Sequence, residues 1–155
     1  MIVIRKSETA DTRTCDWSKV TKGQLRLASE RHISDVSQGL DYFASLLGAA
    51  AVKHDYDKLE DLDGFYADFQ TGFKTTAWWD AHRTLNRHHL DKIDGVPSDV
   101  NLVDVIEHIV DCVMAGMARS GSVYPLALSD AVLQQAFKNT VEMLKANVRV
   151  VGGIG

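Results

Sequence analysis

The chain has 155 residues, 45% of them hydrophobic, and a chain of this size can bury a core without disulfides or a structural metal. Its 17 basic and 21 acidic residues give a net charge of -4 at pH 7, which excludes bulk attraction to nucleic acid or to an anionic membrane. We expect one domain over residues 1–155.

The cysteines and the N-terminal segment indicate the cellular location that we expect for the protein. Cys15 and Cys112 have no partner at metal-ligand spacing, so both are expected to be reduced thiols. The N-terminal apolar stretch is too short for a signal peptide, and no apolar run approaches the roughly 20 residues that span a bilayer. We therefore predict a cytoplasmic protein without membrane contact, in the bacterial host cytoplasm if it is encoded by a phage.

Apolar residues recur at spacings of three and four along most of the chain, which predicts an all-α fold with about six helices. The β-branched alternation at Ile2–Ile4 and Val148–Val151 predicts a small ribbon between the two ends. The domain core would cover 21–119. The helices are expected at about 21–43, 47–54, 59–69 and 75–90, then, after a loop at 91–98, from a cap at Ser98 or Asp99 to 119, and at 129–146.

The first two predicted helices concern a pair of histidines, because His32 and His54 stand 22 residues apart. Along one continuous helix this separation corresponds to about 33 Å, so the two rings meet only if the chain reverses near Phe43. The loss of amphipathic period over Ala44–Gly48 permits a reversal there. We therefore predict a helical hairpin that brings His32 to His54 and Asp55.

The fifth predicted helix is apolar almost all round, as for a helix at the centre of a domain, except for one polar stripe. Asp104, Glu107, His108 and Asp111 recur at i, i+3, i+4 and i+7, which places them on one face. Buried charges are costly unless they are paired or bind a metal, so the stripe indicates a polar site inside the domain. The alternative is that this face simply contacts water.

The fourth predicted helix concentrates histidine, arginine and tryptophan within 77–89. His82 and His89 are seven residues apart and share a helical face with Asn86, whereas His88 is rotated from them by about 100°. The alternative is that the tryptophans belong to the core and that the histidines and arginines are solvated.

In chain order, these candidates are a histidine at His32, a His-Asp pair at His54 and Asp55, and Asp111 in a later helix. This order resembles the HD-domain superfamily of metal-dependent phosphohydrolases, which are all-helical, over about residues 21–119. The run H-D-Y-D-K that begins at His54 is also similar to the His-Asp-x-x-Lys run of some HD phosphodiesterases. The resemblance implies that His32, His54, Asp55 and Asp111 are metal ligands in an HD-domain-like bundle.

The segment 54–89 also looks like a small uncharacterised group of HD-like proteins, several of them from phages. In that group a His-Asp-x-Ser-Lys run precedes a tryptophan, a histidine and an Asn-x-His-His helix. Asp57 stands where the group usually has serine, and this departure affects the hydrogen bonds around the ligands. In binuclear HD enzymes further histidines bind a second metal, a role open to His82, His88 and His89, but their close spacing differs from that branch and one metal per chain is expected.

Histidine nitrogen and carboxylate oxygen suit a divalent transition metal such as Zn, Mn, Fe, Co or Ni. Such an ion lowers the pKa of its water and neutralises charge that develops on phosphorus. The resemblance then implies that Asp55 orients the water, Lys58 meets the phosphate, Glu107 acts as a base through water, and His82 stabilises the departing group. The residues expected to bind substrate are Arg83, Arg87, His89, Arg13 and Lys19.

The resemblance implies that the substrate is a phosphate ester, with a nucleotide or deoxynucleotide expected first. A homodimer is expected from the commonness of twofold oligomers. Two other functions stay open. HD-like scaffolds also support diiron oxygenases, which tightly bound iron and oxygen consumption would indicate. A nucleotide sensor or a phage-type inhibitor of a host protein would bind ligand tightly without hydrolysing it.

Overall fold

The computed structural model describes residues 1–6, 15–74, 77–90 and 96–152 of the chain. It is mostly helical with one small two-stranded sheet, so the predicted all-α class with a terminal β element is confirmed. In the described part, the elements in chain order are β1 (Ile2–Arg5), a 3-10 turn (Trp17–Lys19), α1 (Lys22–Lys53), α2 (Asp57–Glu60), α3 (Leu62–Gln70), α4 (Trp78–Leu85), α5 (Leu102–Ser120), α6 (Asp130–Asn147) and β2 (Val148–Val151).

The two strands pair in parallel, with Ile2 opposite Val148 and Arg5 opposite Val151. β2 follows α6 without a break, so this last helix delivers its strand directly to the N-terminal strand. The β-branched residues that predicted the ribbon are therefore the residues that form it.

The predicted reversal near Phe43 is wrong, because α1 is one unbroken helix. The segment expected to turn is rich in alanine and leucine, which are strong helix formers, and Gly48 costs only about 1 kcal/mol within a helix. His32 is exposed on α1, and 22 residues of unbroken helix correspond to about 33 Å. The hairpin that was to bring His32 to His54 is therefore not formed.

The chain divides into two compact units. One contains Met1–Ser45 with Glu142–Gly155, and the other contains Leu46–Val141. Within the portions of the chain that the structure describes, no helix combines the length and the apolar character needed to cross a membrane.

The fourth helix is shorter than expected. α4 ends at Leu85 because Asn86 takes an extended backbone conformation, so His88 and His89 lie in the turn after the helix. The shared helical face predicted for His82 and His89 is therefore not formed, although the two rings do meet. Thr75 and most of the predicted loop at 91–98 lie outside the described residues.

α5 begins with a capping box at Asn101, not at Ser98 or Asp99 as predicted. The Val103 backbone N–H donates to Asn101 Oδ1 at 2.9 Å, and the Asn101 N–H donates to Asp104 Oδ2 at 2.9 Å. α6 begins close to the expected position, since the Val132 N–H donates to Ser129 Oγ at 3.3 Å.

The larger unit has its apolar core around Leu90, Val100, Val105 and Ala136, with Leu102 packed against it. The polar stripe of α5 faces the interior of this unit: Asp104 is 3% exposed and His108 is 6% exposed. The alternative that the whole stripe contacts water is therefore wrong.

The opposite side of α5 is exposed, contrary to the expectation of an apolar helix buried all round. The side chains of Ile106, Ile109, Val110 and Met114 are all more than two-fifths exposed. α5 thus buries acidic and imidazole groups beside Val103, Val105 and Cys112, and exposes the aliphatic side chains of its opposite side.

Candidate metal centre

The His-Asp pair lies where α1 ends. The His54 backbone N–H still donates to Ala50 O at 2.8 Å, but Asp55 has a left-handed backbone with φ 52°. Aspartate tolerates this region better than most residues, and the strain costs about 1 to 3 kcal/mol. The Asp55 N–H donates to Asn86 Oδ1 at 3.1 Å, which holds the turn against the end of α4.

Asp55 has Lys58 as its ionic partner, since the Lys58 ammonium contacts Asp55 Oδ2 directly. Burial alone would raise the pKa of Asp55, but the hydrogen bond and the charge of Lys58 and the nearby His54 and His88 lower it below its usual value. Asp55 is therefore held as a carboxylate at neutral pH, the form that binds a cation.

A first group of potential ligands surrounds this carboxylate. His54 Nε2 lies 3.7 Å from Asp55 Oδ2 and 3.7 Å from Asp111 Oδ1, and His88 Nε2 lies 3.6 Å from Asp55 Oδ1. Three of these four residues, His54, Asp55 and His88, offer ligand atoms that all lie within 4.8 Å of one another. Asp111 joins through its contact with His54.

A second group shares Asp55. His82 Nε2 lies 3.4 Å from Asp55 Oδ1 and 3.0 Å from His89 Nε2. Again the three ligand atoms lie within 4.8 Å of one another. The two groups therefore share Asp55 Oδ1, which lies near one imidazole nitrogen of each group, His88 Nε2 and His82 Nε2.

These separations have the size expected around one cation. For ligand atoms about 2.0 to 2.2 Å from zinc, the edge of a tetrahedron is roughly 3.3 to 3.6 Å, and an octahedral edge is roughly 2.8 to 3.1 Å. The Nε2 and carboxylate oxygen separations of 3.0 to 3.7 Å fall near this range. The arrangement therefore suits a transition metal with nitrogen and oxygen ligands.

Two of the atoms at the centre are buried without hydrogen bonds. Asp55 Oδ1 and His88 Nε2 have no such partner among the described residues, and the His88 side chain is 1% exposed. A buried carboxylate oxygen without a partner costs several kcal/mol, which a bound cation would offset. This pair is the clearest sign of a ligand in the structure.

Glu107 holds two of the histidines from behind. Its Oε1 lies 3.0 Å from His54 Nδ1 and 3.0 Å from His88 Nδ1, although only the His54 contact also has the angle of a hydrogen bond. Burial would raise the pKa of Glu107, but its contacts with His88 and His54 lower it, so it is a carboxylate that only accepts. Its charge favours the proton on Nδ1 of both rings and leaves Nε2 for the centre, as in metal-bound histidines.

Glu107 was predicted to be a base acting through water. Its contacted oxygen already faces two imidazoles, so the structure places it behind the ligands and not beside a reacting atom. These contacts favour an orienting role for Glu107, and its role as a base stays a prediction.

Asp57 has the matching position behind the second group. Its Oδ2 lies 2.8 Å from His82 Nδ1, and its Oδ1 accepts from Asn86 Nδ2 at 2.9 Å. Burial would raise the pKa of Asp57, but the hydrogen bonds with Asn86 and His82 lower it. Asp57 therefore supports a histidine of the site.

Aromatic rings fix the position of His82. Its imidazole stacks on both Trp78 and Trp79, with ring centroids 5.1 and 5.0 Å away. Asp68, which is buried, accepts the Trp79 backbone N–H at 2.9 Å and so secures the first turn of α4. The alternative that the histidines of this segment are solvated is therefore wrong for His82 and His88, which are each 1% exposed.

Arg87 was predicted to bind substrate, and in the structure its guanidinium is paired with two aspartates. Its Nε and Nη2 atoms donate to the two oxygens of Asp104 at 2.8 and 2.9 Å, and Nη1 donates to Asp99 at 3.1 Å. The hydrogen bonds and charges of these two aspartates raise the pKa of Arg87 further above its already high value. Arg87 therefore ties the turn of His88 and His89 to the start of α5.

The other residues predicted to bind substrate differ in where the structure places them. Arg83 lies on α4 and is half-buried, and His89 belongs to the second ligand group. Lys19 is an exposed residue of the smaller unit, paired with Asp16 at 2.7 Å. Arg13 lies outside the described residues.

His32 is a correction to the ligand set. Across the described residues, it belongs to neither group of potential ligands, and the helical reversal on which its role depended is not formed. His88 takes the place that sequence order gave to His32, since it joins His54 and Asp55.

Two further residues, Asn86 and His108, support the ligands through contacts that the sequence did not specify. Asn86 links Asp57 to the Asp55 backbone, and its spacing of four from His82 was the available signal. His108 Nδ1 lies 3.0 Å from His88 O, so it holds the backbone of a ligand. Its place on the polar stripe indicated burial but not this partner.

Comparisons with known proteins give no relative for this chain. No family model matches it, and no match was found among curated proteins or solved structures. The function of the chain is therefore inferred from the geometry of its described residues.

Proposed function

We propose that the protein is a metal-dependent phosphohydrolase of the HD type. The observation that carries this proposal is the buried pair Asp55 Oδ1 and His88 Nε2, which face each other at 3.6 Å without hydrogen bonds within the described portions. The Nδ1 atoms of His54 and His88 lie 3.0 Å from Glu107 Oε1. The Nε2 lone pairs of both rings are therefore left to face Asp55.

The ligands proposed for the principal ion are His54, Asp55, His88 and Asp111. Two nitrogens and two carboxylate oxygens suit Zn, Mn, Fe, Co or Ni and leave room for water and a phosphoryl oxygen. When bound, such an ion makes a nucleophile of water at neutral pH and neutralises charge on phosphorus.

Lys58 is the residue of this chain best placed to meet a phosphate. Its ammonium contacts Asp55 Oδ2 and lies 5.9 Å from the Phe65 ring centroid and 6.0 Å from that of Trp79. These rings hold a positive charge at the edge of the centre. A phosphate bound beside Asp55 would therefore find a point charge already in place.

The proposed substrate is a nucleotide or deoxynucleotide phosphate, and the proposed location is the cytoplasm. The support for this substrate is the part of the HD phosphohydrolase residue order that remains without His32, namely the His54-Asp55 pair followed by Asp111 in a later helix. Arg83 stays a proposed phosphate contact because it lies on the same helix as His82.

We also propose a homodimer. The exposed side of α5 carries only uncharged apolar residues at its centre, including Ile109, Val110 and Met114. Apolar, methionine-containing faces are typical of homodimer interfaces, and a second copy would remove this face from water. Light scattering at micromolar concentration tests this, and a monomeric mass would contradict it.

The test of the function is phosphate release from a panel of nucleoside mono-, di- and triphosphates and phosphodiesters. The purified protein is stripped of metal and reloaded with Mn, Co, Ni, Zn or Mg in turn. The proposal predicts metal-dependent release that Asp111→Ala abolishes and Asp130→Ala, at the exposed start of α6, leaves unchanged.

Two outcomes would overturn this assignment. Oxygen consumption by an iron-loaded protein without phosphate release would identify an oxygenase, for which the second ligand group provides the donors. Tight nucleotide binding without turnover across all five metals would identify a sensor or an inhibitor of another protein.

A further inference from the structure

The second ligand group has a carboxylate of its own behind it. Asp57 contacts His82, whereas Glu107 contacts His54 and His88. We propose that Asp57 is a positioning residue: it fixes His82 with Nε2 unprotonated, and thereby lets His82 and His89 hold a second cation against Asp55. This inference rests on the proposed metal centre and assigns the residue that makes it binuclear.

The hydrogen bonds around His82 determine which of its ring nitrogens carries the proton. An ionised carboxylate only accepts, so the 2.8 Å contact between Asp57 Oδ2 and His82 Nδ1 requires the proton on Nδ1. The Asn86 amide also lies 3.0 Å from Nδ1, but its two hydrogens are already taken by Asp57 Oδ1 and by His82 O. The lone pair of a neutral His82 is therefore on Nε2.

The residues around His82 keep it in this tautomer. His82 is 1% exposed and its ring stacks on both Trp78 and Trp79, so water does not compete for Nδ1. Asp57 is locked in turn, because Asn86 donates to its other oxygen and accepts the Asp55 N–H. One amide thus links the positioning carboxylate to the backbone of the shared ligand.

The atoms that face Nε2 favour a cation over a simple hydrogen bond. His89 Nε2, at 3.0 Å, is able to donate a proton to His82 Nε2 or to share a cation with it. Asp55 Oδ1, the oxygen proposed to bind the principal ion, also lies 3.4 Å from the unprotonated His82 Nε2, and two lone pairs that face each other at this distance repel unless a cation lies between them. A cation between these three atoms satisfies all of them.

The proposal is specific because Asp57 and Glu107 contact different histidines. Removing Asp57 frees the tautomer of His82 alone, while the first group keeps Glu107. A serine, the residue usual in the similar HD-like group, offers one neutral acceptor on a shorter side chain. Asp57→Ser is therefore expected to hold the second ion more weakly than aspartate does and more tightly than alanine does.

Two measurements without substrate test the proposal. Long-range 1H-15N NMR of the metal-free protein reads the His82 tautomer, with the signal assigned by its loss in His82→Gln. Co²⁺ titration by calorimetry, with metal analysis after dialysis, counts the sites. We expect Nδ1–H at His82, two classes of Co²⁺ site, and a second-site affinity reduced about 10 to 100-fold in Asp57→Ala.

The matched control is Asp63→Ala, which removes an exposed carboxylate from the first turn of α3. It should keep both classes of Co²⁺ site, and the first class should survive in Asp57→Ala. An Nε2–H tautomer of His82 in the unsubstituted protein would overturn the proposal even if Asp57→Ala fails to fold. So would a single class of Co²⁺ site, whereas hydrolysis with one ion would leave the proposed function intact.

Discussion

His88 Nε2 and Asp55 Oδ1 lie 3.6 Å apart in the interior of the larger unit, and within the described residues neither atom has a hydrogen bond. The surrounding residues support this juxtaposition. Asp55 has a left-handed backbone, Glu107 Oε1 lies 3.0 Å from His88 Nδ1, and His108 Nδ1 lies 3.0 Å from the His88 backbone oxygen. Unpartnered buried groups that are supported so closely indicate a ligand between them.

Substitutions at Asp55 and at Lys58 should have different effects. Asp55→Asn removes the charge of the shared ligand, so metal occupancy should fall by more than the roughly 10 to 100-fold of an orienting residue, and activity with it. Lys58→Ala should keep the metal and lose rate or substrate affinity. Metal content and turnover, measured on both variants, separate these outcomes, and a metal-replete, fully active Asp55→Asn would contradict the assignment.

Glu107→Gln distinguishes an orienting carboxylate from a base. Glutamine keeps the shape but offers one neutral acceptor to His54 and His88, so metal affinity should fall about 10 to 100-fold. The exposed Glu60→Gln is the control and should bind metal normally. If Glu107→Gln binds metal as the parent does and loses only turnover, the catalytic base first predicted from the sequence is correct.

Arg87→Ala should act on stability. It leaves the Asp104 carboxylate buried without its bidentate partner, which typically costs about 3 kcal/mol or more. Urea unfolding of the metal-free protein measures this, with the exposed Arg119→Ala as the control. A change within about 0.5 kcal/mol together with weaker substrate binding would return Arg87 to the phosphate role.

The orienting carboxylates should make the metal-free protein sensitive to acid. Glu107 and Asp57 have pKa values lowered by folding, so the stability they contribute is complete above their unfolded values, about 4.3 and 3.9. This contribution to stability is lost as the pH falls through the lower pKa values that the two carboxyl groups have in the folded protein. Unfolding free energy measured from pH 5 to pH 3 should fall less steeply in Glu107→Gln, and identical slopes would exclude this contribution.

The sequence predicted what local pattern controls. The all-α class, the terminal strands, the start of α6 and the interior position of Asp104 and His108 all follow from periodicity. It also gathered His54, Asp55, His82, His88, His89 and Asp111 as candidates, because metal-ligand residue types are few and were concentrated here.

The sequence did not predict what tertiary contacts control. Ala44–Gly48 lost its amphipathic period yet stayed helical, because helix propensity continues through it. Asn86 ended α4 early, since its side chain bonds Asp57 and the Asp55 backbone. Arg87 was assigned to phosphate because its aspartate partner stands 17 residues later on another helix. These partners cannot be read from spacing.

The most direct test of the metal centre compares two histidines, His88 and His32. His88→Ala and His32→Ala are purified in parallel, and bound transition metal per chain is measured after identical loading and dialysis. The structure predicts that His88→Ala loses the ion, because His88 completes the group with His54 and Asp55, and that His32→Ala, an exposed position on α1, keeps it. Loss of metal in His32→Ala with full retention in His88→Ala would contradict this centre.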